Sequence, residues 1–164
     1  MAHPSMASSR GLVDEKPRLL VVAALVWFDQ DHLLVQRRPT TACFGAGQLE
    51  FPGGKVELGE APVAALAREL VEEWGPDTAR LQIRRIVELI HHVYPMPGPE
   101  VVLAVYDVDG QAWGHHWSDS IRLEHGAQAV AFAVDALPVD EFLPADRGLV
   151  AALRGQGRGA RRAT

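Results

Sequence analysis

The sequence predicts an α/β (α+β) sandwich with a mixed sheet. Three observations point there. Strand-like segments stand both before and after one strongly amphipathic helix. Several neighbouring strand candidates are joined by short, turn-rich links. And 164 residues, 48% of them hydrophobic and 23% charged, are enough for one domain with a real core.

The elements follow in order. Residues 1–16 read as a flexible leader of small and polar types, residues 17–155 as the domain, and residues 156–164 as a flexible basic tail. The apolar run 19–28 reads as a buried strand and is too short to span a bilayer. The turn Asp29-Gln30-Asp31 leads to a second strand at 33–36, so the pair predicts a hairpin. Residues 39–48 form a loop, and a short strand at 49–51 precedes Pro52-Gly53-Gly54. Pro62 suits the first turn of a helix over 61–74, which Gly75-Pro76 terminates. Residues 81–94 and 100–108 predict two strands across a proline-rich turn. A further strand is expected at 129–134 and a last short helix at 146–153.

Function classes narrow quickly. The formal net charge of −5 argues against broad nucleic-acid binding, and no stable nucleic-acid partner is expected. No apolar run is long enough for a membrane, and the N-terminus lacks the basic-then-apolar pattern of a secretory signal. The single cysteine, Cys43, rules out an internal disulfide framework, and no base lies near it in sequence. A cytoplasmic monomer or homodimer is the expectation. His91-His92 and His115-His116 do not make a zinc site, because adjacent strand residues point to opposite faces.

Helix 61–74 carries the chemistry. Val63, Leu66, Ala67, Leu70 and Trp74 recur at helical spacing and predict one buried face. Glu69, Glu72 and Glu73 share a second face, with Glu73 nearest the buried edge and Glu72 farthest from it. Three like charges near a helix C-terminus repel one another and oppose the helix dipole. Arg68 offsets part of this. A divalent cation offsets far more, and hard oxygen ligands suit Mg²⁺, with Mn²⁺ a second option.

From Gly54 the sequence reads GKVELGEAPVAALARELVEEWGP. It resembles the Nudix box at Gly54, Glu60, Arg68, Glu69, Leu70, Glu72, Glu73 and Gly75, and departs only at Pro76, where an aliphatic residue is usual. QLEFPGGKVELGE and LLVQRRP are similar to segments of the MutT branch of that family, and residues 19–155 can be laid onto such a domain. The resemblance implies the Nudix fold, a mixed sheet between helices with the box as loop–helix–loop. It implies attack of water on a phosphorus of a small nucleotide substrate. For MutT relatives the products are a nucleoside monophosphate and pyrophosphate.

The resemblance also implies residue roles. Glu69, Glu72 and Glu73 would be metal ligands, with the Gly53 carbonyl and, through water, Glu60. Arg68 would orient the glutamates. Gly53 and Gly54 would let the backbone approach the phosphates. Arg38 and Lys55 are candidate phosphate or sugar contacts. Glu124 is a candidate for an outlying carboxylate or general base, and an ordinary loop glutamate is the alternative. Phe44 is a candidate stacking residue, with core packing as the alternative.

Asp146 is the candidate base reader. MutT itself has an asparagine at the matching position, which both donates and accepts. An ionised aspartate only accepts, which suits a cytosine amino group; a protonated one suits an oxidised purine such as 8-oxoguanine. Three alternatives to an 8-oxo-dGTP enzyme therefore stand: a CTP or 5-methyl-dCTP enzyme, an ADP-ribose or nucleotide-sugar hydrolase, and a non-catalytic nucleotide sensor.

Overall fold

The computed structural model describes residues 16–123 and 126–157. The long apolar run becomes β1 (Arg18–Trp27), the centre of a seven-stranded sheet. Around it lie β2 (His32–Arg37), β3 (Leu49–Glu50), β4 (Gly53–Lys55), β5 (Gln82–Val93), β6 (Glu100–Asp109) and β7 (Gln128–Ala133). The order is β3-β2-β1-β6-β5, with β4 on β1 and β7 on β2. β1 and β6 run parallel from Arg18↔Glu100 to Trp27↔Asp109. The other strand pairs are antiparallel.

β1 does not alternate apolar with polar, because both faces of the sheet are covered. Ala23, Leu25 and Trp27 join one core with Leu103, Val105, Phe142, Val150 and Leu153. Val22, Ala24, Val26 and Phe28 join the other with Leu66, Leu70, Trp74 and Trp113. The first core lies under α3 (Arg147–Gln156) and the second under α1 (Pro62–Trp74). A short α2 (Trp117–Ser120) borders the second core through Trp117.

α1 starts with Pro62 in its first turn and stops at Gly75, whose φ of 92° suits glycine and whose N–H donates to the Val71 carbonyl. Its buried side chains are Ala65, Leu66, Leu70 and Trp74. Full burial of one such large apolar side chain contributes roughly 1.5–3 kcal/mol. Leu70→Ala would cost about 2–5 kcal/mol and loosen the helix that carries the glutamates. Two residues expected on this face are not there. Val63 and Ala67 are exposed and, with exposed Val71, form a flank that the sheet does not cover. A helix lying on a flat sheet buries a narrower arc than periodicity alone assigns it.

The edge divided along β1 positions the site. Val26 and Trp27 pair with β2, whereas Val21, Val22 and Ala23 pair with β4. The chain therefore passes from β3 to β4 through Pro52 directly beneath α1, with Ala24 N–H donating to the Pro52 carbonyl at 2.9 Å. The expected hairpins are present within a residue or two of their predicted bounds. β4, α2 and the parallel β1–β6 pairing were not anticipated from the sequence.

Candidate active site

Gly53 and Gly54 are glycines because the protein itself leaves no room. A Cβ on Gly53 would lie 2.1 Å from the Val22 carbonyl oxygen, and Gly53 also has a φ of +149°. A Cβ on Gly54 would lie 2.3 Å from the Glu69 carboxylate. The expected collision with phosphates is thus preceded by collisions with β1 and α1. The paired glycines bring β4 flush against the acidic face of the helix.

Arg68 gathers that face. Its guanidinium donates to Glu60 at 2.9 and 3.0 Å, to Glu69 at 2.8 Å, to Glu72 at 3.2 Å and to the Lys55 carbonyl at 3.0 Å. A planar five-donor fork can serve several acceptors at once, which a lysine cannot. The Arg68 hydrogen bonds hold the Glu60 carboxyl below the usual glutamate range, and the glutamates in turn hold Arg68 firmly protonated. Glu60 also accepts the Glu57 N–H at 3.0 Å. Glu72 is the most exposed of the group, as its helical position predicts, and Glu69 and Glu73 are both partly buried.

Glu73 points away from Arg68. Its carboxylate accepts the Gly53 N–H at 3.0 Å and an N–H of the Gln36 side chain at 3.3 Å. The same Gln36 nitrogen donates to Glu50 at 3.4 Å, and the Gln36 oxygen accepts the Trp74 indole N–H at 2.8 Å. Burial, reinforced by the neighbouring Glu50 charge, pushes Glu73 up to about 8. Burial likewise raises Glu50, against the pull of Arg38, which pairs with it at 2.7 Å.

Next to these groups opens a cavity of about 720 Å³. Gly53, Gly54 and Lys55 form its edge toward the glutamates, and Arg38, Glu50 and Asp146 are its charged walls. Asp146 is 4% exposed and stands at the N-terminus of α3 without capping it. Its carboxylate instead takes the Phe51 N–H, and burial, with Glu50 close by, pushes it up to about 8. Phe44 lies at the cavity, 43% exposed, with its ring edge-on to Tyr94 at 4.8 Å and 87°. Core packing of Phe44 is therefore not its role. Tyr94 is buried, and its hydroxyl accepts the Ala145 N–H.

The fold brings Gly53, Gly54, Lys55, Glu60, Arg68, Glu69, Glu72 and Glu73 to one place, and Arg38, Phe44 and Asp146 to the adjoining cavity. Glu124 lies outside the described residues. Among the described residues, no three acidic, histidine or cysteine side chains converge on a point that could hold a metal ion. Arg68 draws Glu69 and Glu72 to one side while Gly53 and Gln36 draw Glu73 to the other. Sequence reasoning missed Gln36, Glu50 and Tyr94. The available signal was a polar residue in each of two apolar strands, β2 and β3. His91 and His92 diverge as expected, one to Glu100 and the other against Tyr94.

The site is thus an acidic helix facing the glycine pair of β4 beside a large cavity in an α+β sandwich. The NUDIX domain model matches residues 17–153, and the chain belongs to that family. It is 28% identical over 140 residues to the 8-oxo-dGTP diphosphatase of Escherichia coli K12, covering 84% of this chain and 97% of that one. Among solved structures it is similar to a MutT protein from Methanosarcina mazei Go1 (TM-score 0.66, 19% identity, 87% of this chain and 96% of the other). It is also similar to the E. coli ORF135 protein (TM-score 0.61, 25% identity, 88% and 94%). The protein is thus a MutT-like Nudix hydrolase, an enzyme acting on phosphoanhydride bonds.

Proposed function

We propose that this enzyme cleaves (deoxy)nucleoside triphosphates, oxidised ones such as 8-oxo-dGTP above all, to the monophosphate and pyrophosphate. The observation that carries the reading is one cavity that has buried Asp146 in one wall and the Gly53–Gly54 edge beside the glutamates in another. A base held against Asp146 would direct its phosphates toward Gly54, Lys55 and the glutamate face of α1. Phe44 would stack on the base, and Arg38 would complete the wall.

Nudix hydrolases generally use divalent metal ions. The donor set here fits one chemically: Glu69, Glu72, Glu73, the Gly53 carbonyl and Glu60 are all hard oxygen donors. A cation there would also relieve the crowding of charge around buried Glu73. Mg²⁺ or Mn²⁺ would lower the pKa of a bound water and neutralise phosphate charge. The chain's own part is to position these donors beside the cavity. Arg68 fixes Glu69, Glu72 and Glu60, and the Gly53 N–H fixes Glu73. Glu73 or Glu124 would receive the proton of the attacking water, which adds to phosphorus as the pyrophosphate oxygen leaves.

A second reading is favoured by Glu50 and Asp146 standing near one another at the cavity. Two carboxylates suit an exocyclic amino group, as in CTP or 5-methyl-dCTP. The test for both is product identity with Mg²⁺ present. Monophosphate plus pyrophosphate from 8-oxo-dGTP supports the first reading, and the same products from cytosine nucleotides alone support the second. Release of orthophosphate only, or of a sugar phosphate from ADP-ribose, would exclude both. Among the described residues no helix is long and apolar enough to cross a membrane.

A further inference from the structure

We infer that Gln36 is a positioning residue that holds the Glu73 carboxylate for the reaction and ties it to the Glu50–Arg38 wall of the nucleotide cavity. The inference rests on the proposed role of Glu73 and adds a residue that the family motif does not contain. Gln36 sits on β2, 6% exposed, with all of its polar atoms facing partners. Its orientation is dictated rather than chosen. The Trp74 indole N–H can only donate, so it takes the amide oxygen at 2.8 Å and turns the amide nitrogen toward the carboxylates. That nitrogen then serves Glu73 at 3.3 Å and Glu50 at 3.4 Å.

The consequence is geometric. Trp74, the last residue of α1, is fully buried in the core, so the amide is anchored to a core side chain. Glu73 is held from β4 by the Gly53 N–H and from β2 by Gln36, and so cannot swing toward Arg68 as Glu69 and Glu72 do. Glu50 is held by Gln36 on one side and by Arg38 at 2.7 Å on the other. Gln36 is therefore the one neutral bridge described between a carboxylate of the helix and a carboxylate of the cavity.

The test uses the full chain with Gln36→Met, which keeps the volume and removes both hydrogen-bonding functions. Because that leaves the Trp74 indole N–H buried without a partner, the double variant Gln36→Met/Trp74→Phe is made beside it. Three quantities are read: kcat and KM for the best triphosphate, Mn²⁺ affinity by titration without substrate, and the thermal midpoint. The expected result is kcat lower by about tenfold or more, KM within about threefold, and Mn²⁺ binding weakened by about tenfold. The double variant, free of the orphaned donor, regains neither kcat nor Mn²⁺ affinity, whatever its thermal midpoint. Unchanged Mn²⁺ affinity with near-parental kcat overturns the inference, and so does recovery of kcat together with the midpoint, which would mark a packing role. Absence of measurable Mn²⁺ binding by the parent also overturns it. If the parent hydrolyses no triphosphate, the proposed function fails by itself. The Mn²⁺ titration then still decides the inference, with weakening in both variants supporting it and no change overturning it.

Discussion

Glu73, on α1, accepts the backbone N–H of Gly53, the first residue of β4, at 3.0 Å. This contact joins the acidic helix to the glycine pair that opens β4. Glu73→Gln keeps the shape and an acceptor for that N–H but loses the ability to ionise, bind a cation or take a proton. Turnover is expected to fall by about a hundredfold or more, with an unchanged circular dichroism spectrum. Activity within a few-fold of the parent would remove Glu73 from the reaction.

The same substitution has a signature in stability. The Glu73 pKa in the folded protein is raised to about 8 from an ordinary value of 4.5. The folded state therefore binds more protons than the unfolded state between those limits, and stability falls as pH rises through that window. A glutamine does not titrate. The metal-free variant should gain thermal midpoint over the parent at pH 8–9 and show little difference near pH 4.5. A melting series across that range checks it.

Asp146 obeys the same sign, being raised from 3.8 to about 8. Below about pH 8 its carboxyl is protonated and both donates and accepts. Above that it only accepts. KM for an oxidised purine triphosphate is expected to rise as pH passes 8, and Asp146→Asn should flatten that rise. Steady-state kinetics from pH 6 to 9.5 on both proteins tests this, provided kcat is tracked separately from KM.

Phe44 and Tyr94 meet edge to face at the cavity, with 43% of Phe44 exposed. Phe44→Ala should raise KM by roughly five- to a hundredfold, the range that loss of one stacked base implies, with kcat nearly unchanged. An unaltered KM would mean the base stacks elsewhere.

The two glycines should differ under substitution. Gly53→Ala forces a side chain into a backbone carbonyl at a φ that favours glycine, and should cost about 1–3 kcal/mol of stability. Gly54→Ala meets only the end of the flexible Glu69 side chain, so the protein should fold with a displaced Glu69 and lower activity. Chemical denaturation separates the two.

Much of this was legible in the sequence, for identifiable reasons. Glu72 could be placed on the solvent side because helical geometry fixes its angle, and Arg68 could be read as offsetting its charge from their four-residue spacing, whereas the orienting role of Arg68 came from the family resemblance. The strands were legible from apolar runs. Val63 and Ala67 were misread because periodicity cannot say how wide an arc the sheet covers. Gln36, Glu50 and Tyr94 escaped because their meaning lies in β2, β3 and the end of β5 converging around one cavity. Spacing along the chain carries no trace of that convergence. Asp146 was found only through the family resemblance, and its burial was not foreseeable from its place among polar neighbours.

The most direct measurement is kcat/KM with Mg²⁺ for 8-oxo-dGTP, dGTP, CTP, 5-methyl-dCTP, ADP-ribose and a UDP-sugar, with pyrophosphate and orthophosphate scored separately. Pyrophosphate release from triphosphates is expected, with 8-oxo-dGTP preferred over dGTP by at least about tenfold, the discrimination that one base-edge contact of about 1.4 kcal/mol provides. Turnover of ADP-ribose or the UDP-sugar without pyrophosphate from any triphosphate would contradict it.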